Sequence, residues 1–230
     1  MESAAPRVSA LQRLIMEKIT INNALPRVFA GREATASEVW EQPQVELHRG
    51  KFYIISAESG TGKSSLCSYI YGFRTDYSGR IAMDGTDVST FTVAQWCDVR
   101  RSHISYLPQD LKLFAELTAL ENVQLKNRLS HHKSEKEITE LFGLLGIADK
   151  LHQPCGKLSI GQQQRVAIIR ALCQPCDFYL LDEPVSHLDE GNNRLVSGLF
   201  TDEARRQGAG IIATSVGNHL LINADKTLKL

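Results

Sequence analysis

Long hydrophobic runs are missing from this 230-residue chain. None approaches the roughly 20 residues that a helix needs to cross a bilayer. The longest candidates, residues 52–55 and 178–181, have the length of buried strands. Residues 1–18 lack the continuous apolar stretch of a secretory leader, so a cytosolic protein without direct membrane insertion is expected. Any membrane role would come through a partner. An excess of one charge is missing too. Lys plus Arg number 26 and Asp plus Glu number 26. A nucleic-acid binder ordinarily shows a basic bias, so no nucleic-acid partner is expected. Cysteine is sparse: Cys67, Cys97, Cys155, Cys173 and Cys176 are odd in number and scattered, which argues against a disulfide framework. Cys173 and Cys176 form a CxxC, but no second pair or suitably spaced histidines accompany them for zinc. They read as reduced thiols beside a helix end. There is no internal repeat and no low-complexity tract. What is present, 43% hydrophobic residues, suits an ordinary globular core.

Residues 1–16 read as an N-terminal extension and residues 17–230 as one domain. A short β-like alternation spans 19–21, and a small polar loop spans 31–37. Val45 and Leu47 alternate with polar neighbours, as in a half-exposed strand. Arg49-Gly50 turns into residues 52–55, apolar on both faces and suited to a central parallel strand. Residues 80–83 form a strand closed by the turn Asp84-Gly85. Residues 104–107, 178–181 and 210–213 are further buried-strand candidates. Between them, 118–148 is rich in helix signals. Ser134 and Glu137 make a capping-box pair there, and Ile138, Leu141, Phe142 and Leu145 recur at helical spacing. Strands alternating with helices predict an α/β fold with a mainly parallel sheet.

The segment Ala57-Glu58-Ser59-Gly60-Thr61-Gly62-Lys63-Ser64-Ser65 lies between a strand and a helical pattern, as a phosphate-binding loop must. Gly60 and Gly62 let successive N–H groups curl inward toward phosphate oxygens. The helix that begins near Lys63 adds its free N–H groups and positive dipole end. Lys63 is placed to reach the β- and γ-phosphates, and Ser64 to offer its hydroxyl to Mg²⁺. The usual pattern opens on Gly. Ala57 stands there, which the loop tolerates if the position needs no positive φ.

Asp182-Glu183-Pro184 follows the apolar run 178–181. At a strand end two adjacent carboxylates can diverge into different tasks. Asp182 suits the Mg²⁺ shell, and Glu183 suits orienting or deprotonating the attacking water. Leu158-Ser159-Ile160-Gly161-Gln162 opens a helix through a Ser159–Gln162 capping box, and its N-terminus can grip a phosphate.

With Gln109 after a strand and Ser186-His187-Leu188-Asp189 after the acidic pair, these motifs stand in the order found in ATP-binding cassette proteins. The chain resembles that family from about Ile19 onward. The resemblance implies a RecA-like P-loop NTPase core, an antiparallel β subdomain and a helical subdomain inserted at about 109–156. It implies ATP and Mg²⁺ in a composite site shared by a homodimer or pseudo-dimer of cassettes. In it, backbone and side chains of residues 59–65 (Ser59, Gly60, Thr61, Gly62, Lys63, Ser64 and Ser65) bind the nucleotide. Gln109 touches Mg²⁺ together with Ser64 and Asp182. Ser159, Gly161 and Gln162 meet the γ-phosphate in trans. Glu183 acts as base, and Asp189 communicates across the dimer. Phe29 matches the aromatic that stacks on adenine, although a lone Phe after a strand also serves as core.

Two departures bear on catalysis. Ile160 replaces the second Gly of the signature, and Ser215 stands where the family has its switch histidine. Serine is shorter and carries no positive charge, so normal ATP binding with slow hydrolysis is expected. Residues 111–123 resemble cassettes of the lipoprotein-releasing, cell-division and macrolide-exporter group. That likeness implies a transmembrane permease partner, Leu113 and Phe114 as candidate contacts, and a peripheral place at the inner face of the cytoplasmic membrane. The alternative is a soluble or regulatory cassette acting as a nucleotide-dependent binding module.

Overall fold

The structure is a computed structural model that describes residues 14–31 and 37–230. Most of the expected extension and of the 31–37 loop therefore lies outside the described residues. Met16, at the expected boundary, already packs in the core, 5% exposed, and its N–H donates to Asp177 Oδ2.

Two sheets organise the chain. The antiparallel sheet has the order β2-β1-β4-β5, from β1 (Lys18–Pro26), β2 (Val45–His48), β4 (Tyr77–Met83) and β5 (Thr86–Asp87). A bulge in β1 between Asn22 and Leu25 brings its backbone against Gly79. A Cβ there would lie 2.2 Å from the Asn23 carbonyl oxygen, so only glycine fits. The second sheet is wholly parallel, in the order β6-β7-β8-β3-β9. Its strands are β6 (Ile104–Leu107), β7 (Phe178–Asp182), β8 (Gly210–Ser215), β3 (Phe52–Ser56) and β9 (Lys226–Lys229). Strands β7 and β8 are buried along their whole length, as a strand covered on both faces must be. Alternation sends Tyr179 and Leu181 into one hydrophobic core and Phe178 and Leu180 into the other.

The first core lies under α3 (Ala119–Asn127), α4 (Glu135–Leu144), α5 (Ile160–Leu172) and α6 (Glu190–Gln207). The second joins α1 (Lys63–Ile70) to the antiparallel sheet, with α2 (Val93–Asp98) beside it. Capping boxes start four of these helices: Thr92–Gln95, Thr118–Glu121, Ser134–Glu137 and Ser159–Gln162. Each such N-cap is worth about 1 kcal/mol. The helices between residues 109 and 156 share their core with α5 through Val123, Ile138, Phe142, Val166 and Ile169. Buried Glu203 of α6 clasps this region by accepting from Lys133 Nζ at 2.7 Å and pairing with His132 Nε2 at 2.9 Å. All five cysteines are free thiols; Cys97 is exposed and the others are buried. Cys173 and Cys176 sit in the core just past α5.

The register decides where the chemistry sits. Ser56 pairs with Ser215 and Asp182 with Thr214, so the C-terminal ends of three neighbouring parallel strands meet at one edge. That edge is where open α/β sheets bind ligands.

Candidate nucleotide site

The loop after β3 turns through Gly60 at φ 83° and Gly62 at φ 102°, both in the left-handed region that favours glycine. Ala57 has no positive φ, which is why alanine is accepted at the position of the expected first glycine. Its N–H donates to the Ser215 carbonyl at 3.1 Å and ties the loop to β8. The loop ends in α1, whose first residue is Lys63.

Lys63 is 6% exposed. Its ammonium donates to the Glu58 carbonyl at 3.0 Å and lies 3.6 Å from Glu183 Oε1. The cation is thus curled back over its own loop. Ser64 Oγ donates to Gln109 Oε1 at 3.3 Å, so these two predicted metal contacts meet across 45 residues of sequence. Asp182 ends β7 and is 2% exposed; its Oδ1 accepts from Thr214 Oγ1 at 2.7 Å. Cys67 lies behind it, and burial first, then the Asp182 charge, push that thiol well up.

Glu183 leaves the strand at φ 51°, an unusual value for a residue with a side chain. Its N–H donates to the Thr214 carbonyl at 3.2 Å and to Thr214 Oγ1 at 3.3 Å. Such strain persists only where the surroundings over-determine it, and it concentrates at functional positions. The turn aims the carboxylate at Lys63 while Asp182 stays within the sheet. Ser215 is 4% exposed at the end of β8, one residue beyond Thr214.

Phe29 lies beside the same loop. A Cβ at Gly62 would fall 3.1 Å from Phe29 Cε2 and 3.3 Å from Trp40 Cζ2. Trp40 is buried, and its indole N–H donates to the Thr61 carbonyl at 3.1 Å. Trp40 and Thr214 were not singled out from the sequence. Trp40 carries no local motif, and Thr214 matters only because register sets it beside Asp182.

The signature residues belong elsewhere. Ser159 Oγ accepts from Gln162 N at 3.3 Å, and the Gln162 side chain accepts from Ser159 N at 3.0 Å. Ser159 and Ile160 are exposed, the latter at 56%. A Cβ at Gly161 would lie 3.8 Å from the His187 carbonyl, and Gln164 donates to the Pro184 carbonyl at 2.8 Å. The signature helix is therefore braced on the loop after Glu183. Asp189 caps α6; the Asn192 N–H it accepts holds its carboxyl below the usual range. Among the described residues, no hydrogen bond or ion pair joins Ser159, Gly161 or Gln162 to Lys63, Ser64 or Glu183.

The ABC transporter family profile matches residues 40–186. The lipoprotein-releasing system ATP-binding protein LolD of Cereibacter sphaeroides is 34% identical over 219 residues, covering 94% of this chain and 97% of its own. The macrolide export ATP-binding/permease protein MacB of Bartonella henselae is 29% identical over 215 residues, 92% of this chain but 32% of that protein. Among solved structures, the dimeric bacterial ABC transporter cassette MJ0796 superposes with a TM-score of 0.76 at 24% identity, covering 92% of this chain and 94% of that one. At that identity the likeness speaks for the α/β fold, which is the one predicted. The chain belongs to the ABC transporter family, as an ATP-binding and ATP-hydrolysing subunit.

Proposed function

We propose that two copies of this cassette, or this one and a near twin, enclose ATP between them and drive a membrane-embedded permease. The observation that carries this reading is the division of the site. Lys63, Ser64, Gln109, Asp182 and Glu183 converge at one strand edge, while the capped helix at Ser159 exposes its anion-binding end without joining them. A second subunit supplies what one chain leaves open.

In this reading Lys63 exchanges the Glu58 carbonyl for the β- and γ-phosphates. Phe29, beside the loop, stacks on adenine, and Ser159, Gly161 and Gln162 of the facing subunit close on the γ-phosphate. Glu183 accepts a proton from the attacking water as its oxygen bonds to the γ-phosphorus and the bond to the ADP oxygen breaks. Ser64 Oγ, Gln109 Oε1 and Asp182 make a hard-oxygen donor set that fits Mg²⁺. The ion would neutralise charge on the β- and γ-phosphates. Ser215 offers no imidazole to the γ-phosphate, which slows hydrolysis without weakening binding.

No described helix is long and apolar enough to cross a membrane. The subunit would act peripherally, at the inner face of the cytoplasmic membrane. The permease reading follows the relatives named above, and an apolar groove at Phe114, close in sequence to Gln109, is where a permease segment would seat. The test is light scattering of the Glu183→Gln variant with and without Mg-ATP, paired with Ser159→Cys to Gly60→Cys crosslinking. ATP-dependent dimers that crosslink between subunits support the reading. ATP binding by monomers, with no crosslink, sinks it.

A further inference from the structure

The groove at Phe114 has a volume of about 250 Å³ and an apolar rim. Phe73, Phe114, Leu125 and Leu129 flank it and are 56%, 56%, 43% and 58% exposed. Clustered exposure of this kind marks a docking surface. Its floor is rigidly built. Tyr71 and Tyr106 pack as tilted rings 4.8 Å apart between centroids, and Phe73 meets Tyr71 edge-on at 4.8 Å. Gly72 holds the chain at φ 70°, where a Cβ would strike the Trp96 ring at 2.4 Å. Arg100, in the π-helical turn Val99–His103, lies 5.4, 5.2 and 5.2 Å from the Tyr71, Phe73 and Trp96 ring centroids.

The charges of this groove do not balance. Lys112, Lys126 and Arg170 line it, and no carboxylate does. Lys112 pairs with Asp110 at 2.6 Å. Arg170 and Lys126 hydrogen-bond only to backbone carbonyls among the described residues, and Arg100, behind the groove, has carbonyls and the three rings. Arg170 donates to Leu111 O and, at 2.8 Å, to Lys112 O; Lys126 donates to Arg100 O at 3.3 Å; Arg100 donates to Tyr71 O and Gly72 O at 3.3 and 3.0 Å. Burial, then the charges of Arg170 and Arg100, push the Lys126 ammonium down to about 8. Burial likewise holds Arg170 below its ordinary value. Half-buried cations set beside one another with no anion are unfavourable as they stand. An incoming carboxylate would relieve them and would form charge-assisted hydrogen bonds at the same time.

We propose that the groove selects an apolar helical segment carrying a carboxylate, which enters beside Lys126 and Arg170 while its apolar residues cover Phe73, Phe114 and Leu129. The inference rests on the reading that a permease segment docks here and adds the chemistry that segment must have. Apolar anchors give the segment affinity, and the single acid gives it register and selects against neutral or basic loops of other partners.

Random peptides can stand in for the partner segment. A library of displayed, helix-biased random peptides is selected on the intact protein and counter-selected on the Phe114→Asp variant, a change at an exposed rim position. The expected winners carry one Asp or Glu among apolar residues spaced three or four apart. A winning peptide whose acid is changed to the amide loses about tenfold in affinity, as one charged hydrogen-bonded contact predicts. On Lys126→Met the difference between the two peptides shrinks severalfold, because Arg170 alone still faces the acid. Winners with no acidic position leave docking standing and overturn the carboxylate. No winner that discriminates Phe114→Asp overturns the docking reading itself. Binding to phosphatidylserine vesicles, absent with phosphatidylcholine and lost in Lys126→Met, would assign the cations to a lipid headgroup and overturn the proposal.

Discussion

Gly62 and Gly60 offer a paired test of how the nucleotide loop is built. Both have positive φ, so alanine at either position carries a backbone cost of about 1–2 kcal/mol. Part of that cost is offset by about 0.4–1 kcal/mol, because alanine leaves the unfolded chain less freedom. At Gly60 a Cβ meets nothing within 4 Å, so the net loss is about 0.5–1 kcal/mol. At Gly62 the Cβ arrives 3.1 Å from Phe29 and 3.3 Å from Trp40. Trp40 cannot yield easily, since it is 2% exposed and its indole holds the Thr61 carbonyl. Displacing these rings adds about 1–2 kcal/mol of overpacking. For a chain of this length, a total of about 2 kcal/mol lowers Tm by roughly 4–8 °C. Thermal unfolding without nucleotide reads the stability, and a fluorescent ATP analogue read by anisotropy gives the affinity. Gly62→Ala is expected to unfold several degrees below Gly60→Ala. If Phe29 stacks on adenine as proposed, the variant also weakens the analogue further, because the ring is displaced and the N–H groups of the loop shift. Equal losses in both variants would refute the role given to the Phe29–Trp40 wall.

Glu183→Gln is expected to lower steady-state phosphate release by about 10²–10⁴ while ATP binding persists, as loss of a general base predicts; unchanged release would remove Glu183 from the reaction. Ser215→His is expected to raise phosphate release by about 10²-fold, the low end of what a placed acid–base group contributes; no gain would mean that serine does not limit the rate. Lys126→Met is expected to stabilise the isolated subunit near pH 7 by on the order of 1–2 kcal/mol after discounting for solvent screening. The folded value of Lys126, about 8, lies below its ordinary 10.5, so the unfolded chain binds more protons between them. The native protein therefore bears the full cost below about pH 8 and sheds it as pH rises toward 10.5. The advantage of the variant in denaturant midpoint should fade over that window, and a constant advantage would contradict the assignment.

Local patterns made much of this legible. Residues 52–55, 178–181 and 210–213 are apolar on both faces, and they form the three adjacent strands whose ends carry the site. Ser134–Glu137 and Ser159–Gln162 announced their helices because a capping box is a contact between near neighbours. Sequence could not show contacts created by register. Thr214 holds Asp182 and anchors Glu183 N–H only because β7 and β8 pair as they do. Trp40 was illegible as well, since the Thr61 carbonyl it holds lies 21 residues away in another loop. The groove cations were hidden too. Arg100, Lys126 and Arg170 sit far apart in a chain whose net charge is zero, so composition could not reveal a local excess.

Glu183 and Lys126 share one physical logic. Each is held in a state the isolated subunit would avoid. Glu183 occupies a left-handed backbone position that costs about 1–3 kcal/mol in a residue with a side chain. Two hydrogen bonds to Thr214 and the neighbouring Lys63 ammonium offset that cost. Lys126 is partly buried among like charges with one carbonyl for company. Selection for stability alone would put glycine at the first position and methionine at the second. Both would leave the fold intact, and both would remove what the site or the groove presents to another molecule. The two residues thus separate what the fold requires from what function adds. The first difference is read by turnover at unchanged nucleotide affinity, and the second by partner binding at unchanged turnover.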